Sequence, residues 1–401
     1  MLLYQIFYID VKYKSWATNL LTRTKIGFLI QGMPYENMVS SHFGNNICIE
    51  GDMRIRKRFD EYVSTSYVRP MFITGDSFEV LKRLHDNSID FSMTSPPYWG
   101  KRQYSADGIG LEKNYELYID NLLKIFLELK RVLKPTGSFW LNVGDTYKKK
   151  NLLGIPWRIA IRMTDEQGWI LRNDVIWNKV KGGLDNTKDR LGNVFEHVFH
   201  FVKMEKGYFY DVDAIRSKPG QSTVRNGTVI SATGVSGVRY RRQIELSTAL
   251  SKNEKINAFK ALDDILKEIQ DGKLSDFRMI IRKQQRATHS DSVKVSGRAK
   301  ELKDKGFYFL KYHPNGSKPR DLWDIMPEDT QKRKKHYAAY PEDLCKIPIL
   351  AACPEKGIVL DPFAGTGTTM LAAMHLNRKS VGIDLSDDYI KIAEERCSYL
   401  F

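Results

Sequence analysis

The sequence is poor in cysteine and has no long apolar run. Its four cysteines, Cys48, Cys345, Cys353 and Cys397, are widely separated and form no CxxC pair, which argues against a disulfide framework and a zinc ribbon. No segment reaches the roughly 18 apolar residues that a membrane span needs. The opening MLLYQIFYIDVKYK has no basic n-region and no clean apolar core of a signal peptide. We therefore expect a folded protein of the reducing cytoplasm without membrane contact.

The charge of the chain is basic and is concentrated in one segment. The net charge of the chain is +15. Residues 216–335 carry 27 Lys and Arg against 14 Asp and Glu, so +13 of this net charge lies in that segment. Such a concentration favours a polyanionic partner such as nucleic acid. A solvated surface or an unfolded insertion is the alternative interpretation.

The spacing of apolar residues predicts alternating strands and helices on both sides of the basic segment. Strands are predicted at 71–76, 89–94, 138–145, 173–180, 196–203, 358–361 and 379–386, and helices at 77–88, 122–133, 341–352 and 387–397. This alternation predicts an α/β fold with a doubly wound, mostly parallel sheet. One helix is predicted at 256–269 inside the basic segment. Residues 1–68 show no periodicity that can be assigned.

A glycine-rich loop, DPFAGTGTT at 361–369, follows one predicted strand. Gly365 and Gly367 permit positive φ and a close approach of the backbone to a ligand, at the strand edge where open α/β sheets bind their ligands. The loop is neither GxGxxG nor a P-loop, which disfavours a pyrophosphate cradle. Asp384 ends another strand 23 residues after Asp361, where an acid would accept hydrogen bonds from ribose hydroxyls. Two acids that merely end strands are the alternative, but the spacing favours a nucleoside cofactor.

A second loop, TSPPY at 94–98, offers hydrogen-bond acceptors. Pro96 and Pro97 lack N–H donors, so the Ser95 hydroxyl and the Pro96 carbonyl are available as acceptors. Acceptors for both hydrogens of an exocyclic amino group would let its nitrogen approach tetrahedral geometry and attack a methyl donor directly. Tyr98 would supply a flat face for a base withdrawn from the duplex. A tight proline loop packed on an aromatic ring is the alternative, which the accompanying glycine loop disfavours.

These two motifs together resemble those of the β-class DNA amino methyltransferases. TSPPY, the basic region and DPFAGTGTT stand in the order typical of that class, and the resemblance covers about residues 71–215 and 336–398. It implies a circularly permuted, Rossmann-like methyltransferase fold with S-adenosylmethionine as cofactor and double-stranded DNA as partner. The implied divisions are an N-terminal extension of unknown role, a catalytic half, a target-recognition region and a cofactor-binding half, at 1–68, 69–215, 216–335 and 336–401.

The resemblance also implies roles for individual residues. The catalytic residues would be Ser95, Pro96, Pro97 and Tyr98, and the cofactor would be bound by Asp76, Asp361, Phe363, Gly365, Gly367, Thr368 and Asp384. Asp76 suits a helix N-cap equally well. The helix beginning near Tyr340 would line the methionine end of the cofactor.

The serine form of the catalytic motif is associated with methylation at N4 of cytosine. A cytosine-N4-specific enzyme related to a restriction-modification system is therefore the first hypothesis, and adenine N6 is the alternative. Methylation at C5 is disfavoured because that route needs a thiolate, usually in a Pro-Cys pair, and the chain has none. A DNA-binding specificity partner without catalysis is a further alternative. A restriction endonuclease that acts on the same site is a possible partner. The sequence is compatible with a monomer and with a dimer.

Two sets of polar residues remain. In the basic region, DNA contacts are predicted for Arg239, Arg241, Arg242, Arg282, Lys283 and Arg286, with a solvated face as the alternative. His197 and His200 lie three apart in a predicted strand, so they project to opposite faces. Core packing is expected for both, and no metal site is predicted.

Overall fold

A computed structural model describes residues 53–101, 108–180, 187–217, 221–226, 228–232, 234–283, 297–328 and 340–398. Most of the N-terminal extension predicted at 1–68, and Arg286, lie outside the described residues. The chain divides into Met1–Lys57 and Arg58–Phe401, and the fold is that of the second unit. No helix within the described ranges combines the length and the apolar character of a membrane span.

The helices and strands follow one another along the chain in a largely alternating order. They are α1 (53–64), β1 (Met71–Thr74), α2 (Ser77–Arg83), β2 (Ile89–Thr94), α3 (Tyr115–Val132), β3 (Leu133–Val143), β4 (Tyr147–Lys148), β5 (Asn151–Leu152), α4 (Ile155–Gln167), β6 (Ile170–Asn178), β7 (Phe195–Val202), β8 (Thr223–Arg225), β9 (Thr228–Ile230), α5 (Gly237–Leu246), α6 (Lys252–Gln270), β10 (Asp276–Ile281), α7 (Gly297–Lys305), β11 (Phe307–Tyr312), β12 (Leu322–Asp324), α8 (Glu342–Ala352), β13 (Ile358–Asp361), α9 (Thr368–His375), β14 (Lys379–Asp384) and α10 (Asp387–Ser398). A short 3-10 turn lies at Asp213–Ile215.

A sheet of eight strands forms the centre of the fold. Its spatial order is β1-β14-β13-β2-β3-β7-β6-β12. Among these strands β7 alone runs antiparallel to its neighbours, and the other pairs are parallel. The mostly parallel α/β sheet predicted from the sequence is therefore confirmed. Because parallel strands share one carboxyl edge, the loops after β1, β2, β13 and β14 lie next to one another.

Local signals in the sequence explain where the helices begin and which face they bury. Asp76 caps α2 by accepting a hydrogen bond from the Glu79 amide, and Asn114 caps α3 in the same way. The predicted apolar face is buried: Leu122, Ile125, Phe126 and Leu129 lie on α3, whereas Leu133, predicted to end the helix, is the first residue of β3. The sequence did not predict α4, which follows a left-handed Gly154.

The basic region has a folded core of its own. Helices α5 and α6 pack together, and β10 and β11 form an antiparallel pair. The side chains buried among these elements include Tyr240, Ile244, Leu262, Ile265, Phe277 and Phe307. The one helix predicted here is present as α6, whereas α5, α7 and the strands were missed. Strand β12 pairs with β6 in the central sheet, so the central sheet resumes before residue 335.

Candidate active site

The two loops that the sequence singled out line one cavity at the carboxyl edge of the sheet. The cavity has a volume of about 410 Å³. Among the predicted residues, its walls include Asp76, Ser95, Pro96, Pro97, Tyr98, Phe363, Gly365, Thr368 and Asp384. Ser95 and Gly365 are 270 residues apart in the sequence, and the neighbouring positions of β2 and β13 in the sheet bring them together.

Asp361 and Gly367 lie behind the cavity wall in the described structure. Gly367 has a φ of +77° and precedes α9, and a Cβ at this position would come within 2.8 Å of the Ala393 Cβ. Glycine is therefore required for the start of α9 to pack against α10. Neither residue lines the cavity, and the direct cofactor contact predicted for them stays a prediction.

Asp361 instead joins several elements beneath the glycine loop. Its carboxylate is 1% exposed and accepts hydrogen bonds from the Thr94 hydroxyl (2.5 Å), the Thr369 hydroxyl (2.6 Å), the Tyr340 hydroxyl (3.1 Å) and the Phe363 amide (3.0 Å). Burial raises the pKa of this carboxyl group, and the donated hydrogen bonds oppose that rise. The four donors tie β2, α9 and the segment before α8 to the end of β13.

Asp384 presents its carboxylate to the cavity. Its Oδ2 accepts from the Gly365 amide at 2.8 Å and its Oδ1 accepts from the Ser386 amide at 2.9 Å. Burial raises the pKa of Asp384, and these backbone hydrogen bonds oppose the rise. Each oxygen keeps a further lone pair that can accept a hydroxyl hydrogen.

The same part of the cavity fits a nucleoside. Phe363 and Tyr389 place aromatic side chains in its wall beside the Asp384 carboxylate, which pairs a planar apolar surface for a base with an acceptor for ribose hydroxyls. Asp76 caps α2 with one carboxylate oxygen, at 3.0 Å from the Glu79 amide, and also lines the cavity. The two interpretations of Asp76 are therefore compatible.

The SPPY loop, which is the predicted catalytic loop at 95–98, is held in a hydrogen-bonded network that includes Glu196. The Tyr98 hydroxyl donates to Glu196 Oε2 at 2.7 Å and lies 3.2 Å from Ser95 Oγ. Asn142 Nδ2 lies 3.1 Å from Ser95 Oγ, 3.1 Å from the Tyr98 hydroxyl and 2.9 Å from Glu196 Oε2. The Lys179 ammonium pairs with Glu196 Oε1.

This network orients the Ser95 hydroxyl. Burial and the nearby Glu196 charge raise the pKa of Tyr98 well above its ordinary value, so its phenol stays protonated. A carboxylate only accepts hydrogen bonds, so the Tyr98 proton points at Glu196 and Ser95 must be the donor in its contact with Tyr98. Asn142 Nδ2 has two hydrogens to share among the three oxygens around it, and Ser95 Oγ, one of the three, has a lone pair left for a donor inside the cavity.

A comparison with known proteins identifies the family. The model of a DNA methylase family that covers N6 and N4 enzymes matches residues 89–395. The chain belongs to this family of DNA methyltransferases. The Type II methyltransferase M.SfiI of Streptomyces fimbriatus is 30% identical to it over 381 residues, which cover 79% of this chain and 88% of M.SfiI. The family predicted from the motifs is thereby confirmed, and the cofactor of this methyltransferase is S-adenosylmethionine.

Solved structures with a likeness to this methyltransferase include two DNA methylases. The PvuII DNA methyltransferase, described as cytosine-N4-specific, is 18% identical and covers 83% of this chain and 91% of its own, with a TM-score of 0.48. TTHA0409 of Thermus thermophilus, solved with S-adenosyl-L-methionine, is 20% identical and covers 83% of this chain and 95% of its own, with a TM-score of 0.43.

The sequence motifs did not predict three residues of this methyltransferase site. Asn142, Lys179 and Glu196 all line the cavity, and none belongs to either motif. Asn142 lies near the carboxyl end of β3, Lys179 follows β6, and Glu196 lies at the amino end of the antiparallel β7. A search for polar residues at the ends of predicted strands would have found the first two. Glu196 required the direction of β7 as well.

The predicted DNA-contacting residues of the methyltransferase fall into two groups. Arg239, Arg241, Arg242 and Lys283 are exposed, although Arg241 pairs with Asp263. Arg282 instead donates to both carboxylate oxygens of Glu254 at 2.8 Å and to the carbonyls of Ala249 and Lys303. These contacts give the Arg282 guanidinium a structural role within the basic region, and its predicted DNA contact stays a prediction. Arg286 lies outside the described residues.

The two histidines of β7 lie on opposite faces of the sheet. His197 Nδ1 is 2.9 Å from Asp174 Oδ1, and its ring stacks on Phe199. His200 is buried, with its ring stacked on Trp140 and Nε2 3.2 Å from Ser138 Oγ. Within the described residues, no group of His, Cys, Asp and Glu side chains could hold a metal ion.

Proposed function

We propose that this methyltransferase transfers a methyl group from S-adenosylmethionine to N4 of cytosine in double-stranded DNA. The observation that carries the proposal is the shared cavity, in which the Ser95 hydroxyl is oriented as an acceptor and Asp384 and Gly365 offer a nucleoside site. An enzyme of this kind would protect a DNA site against a cognate restriction endonuclease, and we expect it in the cytoplasm together with its DNA. Monomer and dimer are both compatible with the site.

The proposed cofactor contacts come from the loops after β1, β13 and β14. Asp384 would accept hydrogen bonds from the ribose hydroxyls, and Phe363 would pack against the adenine. Asp76, Gly365 and Thr368 would complete the wall around the cofactor. Asp361 and Gly367 would act from behind, because they fix the loop that carries Phe363 and Gly365. When bound, the cofactor supplies an electrophilic methyl group.

The catalytic loop would prepare the amino group for attack. Ser95 Oγ and the Pro96 carbonyl would accept its two hydrogens, which draws the nitrogen lone pair out of conjugation with the ring and towards the methyl donor. The reaction then needs no covalent bond between the enzyme and the base. The network through Asn142 restrains Ser95 Oγ before the base enters, so little reorganisation remains to be done in the transition state.

Access to the amino group requires the base to leave the duplex. Flipping costs a few kcal/mol, and stacking on an aromatic ring contributes roughly 1 to 3 kcal/mol for a base in single-strand binding. We propose that Tyr98 supplies this surface, because its ring lines the cavity. The exposed Arg239, Arg242 and Lys283 would contact the DNA from the recognition region.

The choice of cytosine over adenine rests on the serine of the SPPY motif. A methyl-transfer assay with tritiated S-adenosylmethionine, followed by nucleoside analysis of the DNA, tests it directly. Recovery of N4-methylcytosine supports the proposal, whereas recovery of N6-methyladenine alone overturns the cytosine assignment. Methylome sequencing of a host that expresses the protein would give the recognition site as well, and a host that expresses the Ser95→Ala variant is the matched control.

A further inference from the structure

Glu196 is an acidic residue in direct contact with the catalytic loop, and the SPPY motif does not include it. We infer that Glu196 receives the proton that the substrate amino group loses, through the hydroxyl groups of Ser95 and Tyr98. This inference rests on the proposed function only in requiring an amino group as the substrate. It holds equally for cytosine N4 and adenine N6.

The directions of the hydrogen bonds form a continuous path. The Ser95 hydroxyl donates to the Tyr98 oxygen, 3.2 Å away, and the Tyr98 hydroxyl donates to Glu196 Oε2 at 2.7 Å. Ser95 Oγ keeps one lone pair for a hydrogen of the substrate amine. A proton that enters at Ser95 can therefore leave at Glu196 when each hydroxyl passes on its own proton, and no side chain has to move.

Protons and charges balance when methyl transfer is combined with proton transfer through Ser95, Tyr98 and Glu196. The amine nitrogen forms a bond to the transferred methyl carbon, and the electron pair of the broken carbon–sulfur bond stays on the leaving sulfur. The nitrogen then carries a positive charge until its N–H bond breaks. Its proton passes to Ser95 Oγ, the Ser95 proton to Tyr98 and the Tyr98 proton to the Glu196 carboxylate. The methylated amine and the carboxyl group both end neutral, as does the leaving sulfur.

The surroundings of Glu196 suit a receiver that is ionised before the reaction. Its side chain is about 10% exposed, and the Lys179 ammonium and Asn142 Nδ2 both stabilise the negative charge. A strong base is not needed as the receiver, because an amine conjugated with a base ring becomes strongly acidic once its lone pair is used for the new bond. Lys179 also keeps the site from gaining a net negative charge before methyl transfer.

The position of Glu196 follows from the topology of the sheet. Strand β7 runs antiparallel to β3 and β6, so its amino end lies at the edge where the parallel strands have their carboxyl ends. Gly144 lies opposite and leaves room for the pair, since a Cβ there would come within 2.9 Å of the Tyr98 ring and 3.3 Å of Glu196 Cγ. The lack of a side chain at Gly144 therefore permits the close contact between Tyr98 and Glu196.

The test compares four variants: Glu196→Gln, Glu196→Asp, Tyr98→Phe and the double variant Tyr98→Phe/Glu196→Gln. Total methyl transfer is measured in a single turnover on DNA that carries the recognition site, and calorimetry gives the affinity for S-adenosylmethionine. Glutamine still accepts the Tyr98 hydrogen bond but takes up no proton, so we expect its rate to fall at least 100-fold with the cofactor affinity within about twofold of wild type. Aspartate should restore part of the rate. Glu205→Gln, an exposed acid beyond β7, is the matched control and should behave as wild type.

The double variant tests whether the two groups act in one path. Tyr98→Phe should lose about as much rate as Glu196→Gln, and the double variant should be no slower than the slower single variant. Wild-type rates in either single variant would overturn the inference. Equal loss of rate and cofactor affinity in the glutamine and aspartate variants would overturn it too, because that result indicates a structural role. If Glu196→Gln does not fold, the Tyr98→Phe rate decides alone. The methylated nucleoside formed by the wild type tests the proposed function separately.

Discussion

The Thr94 hydroxyl donates a hydrogen bond of 2.5 Å to Asp361, a residue 267 positions later in the chain. Thr94 ends the strand before the catalytic loop, and Asp361 ends the strand before the glycine loop. A second hydrogen bond, from the Ser92 hydroxyl to the Leu360 carbonyl at 2.8 Å, joins the same two strands. The SPPY loop and the glycine loop are thus linked where they leave the sheet, and not only through the cavity they share.

Replacement of Thr94 by valine should loosen this link. The variant keeps the shape of the side chain but leaves the buried Asp361 carboxylate with one donor fewer, so we expect a loss of about 1 to 3 kcal/mol of unfolding free energy. The affinity for S-adenosylmethionine should also fall severalfold. Denaturant unfolding and calorimetry measure the two effects. Thr74→Val, at the exposed end of β1, is the control, and the same two losses in that variant would contradict the explanation.

Removal of the Ser95 hydroxyl should affect turnover and spare cofactor binding. Ser95→Ala takes away one preoriented acceptor for the substrate amine, and the loss of one such group in an active site costs about 100- to 1,000-fold in rate. Tyr98→Ala should likewise lose most of its turnover. Single-turnover methylation and calorimetric titration separate the two quantities, with the exposed Ser64→Ala as the control. A Ser95→Ala variant that first loses its affinity for the cofactor would refute this division of roles.

Asp384 should show the opposite behaviour. Asp384→Ala removes the acceptor proposed for the ribose hydroxyls and frees the Gly365 and Ser386 amides. We expect the dissociation constant for S-adenosylmethionine to rise at least tenfold, since hydrogen bonds to a charged group contribute roughly 1.5 to 3 kcal/mol each, while the rate at saturating cofactor changes less. Asp388→Ala, an exposed acid on α10, is the matched control. An unchanged dissociation constant would rule out the proposed ribose contact.

The arginines of the basic region should separate into DNA-binding and structural residues. Arg239→Ala and Arg242→Ala should weaken DNA binding and each reduce the slope of log affinity against log salt by about 1, because each removes one phosphate contact. Arg282→Ala should instead lower the unfolding free energy by roughly 1 to 3 kcal/mol, because it leaves Glu254 unpaired. Salt titrations of DNA binding and denaturant unfolding measure these effects. Normal stability in Arg282→Ala would contradict the structural role.

His200 should make the fold sensitive to acid. Burial, and to a lesser extent the positive charge of Arg172, lowers the pKa of His200 from 6.5 to about 3. The unfolded chain therefore binds a proton that the folded chain does not, so stability is lost as the pH falls below about 6.5 and until it reaches about 3. Between pH 7 and pH 5 this group alone should lower the unfolding free energy by about 2 kcal/mol.

The His200→Phe variant isolates this contribution. Its unfolding free energy should depend less on pH than that of the wild type over the same range, whatever its absolute stability. His313→Gln, a change at an exposed histidine in the basic region, should keep the pH dependence of the wild type. Parallel curves for His200→Phe and the wild type would show that His200 does not titrate as proposed.

The elements of the central sheet could largely be predicted from the sequence, because their signals are local. The buried strand that ends at Thr94 and the amphipathic helix after it depend on apolar spacing within a few turns. The direction of β7 could not be predicted, since an antiparallel strand and a parallel strand carry the same alternation of side chains. In the basic region the sequence predicted one helix only, because the apolar residues there are diluted by charge, although Tyr240, Ile244 and Phe277 belong to a buried core.

The site residues also differ in how far the sequence could predict their positions and partners. Ser95 and Asp384 lie in loops whose residue types are distinctive, and the structure places both on the cavity wall. Arg282 resembled the other arginines of a basic segment, and its partner Glu254 is 28 residues away on another helix. A run of positive charge does not reveal which of its members are paired inside the fold.

The sequence by itself determined the chemical groups and the backbone they stand on: prolines that cannot donate hydrogen bonds, glycines that accept positive φ, and acids that follow buried strands. These are properties of single residues and their neighbours, so no long-range contact is needed to read them. Only the tertiary structure decided that Glu196 contacts Tyr98, that Asp361 supports the glycine loop from behind and that Arg282 pairs with Glu254. Each of these depends on which strands and helices become neighbours, and cooperative packing of the whole chain sets that order.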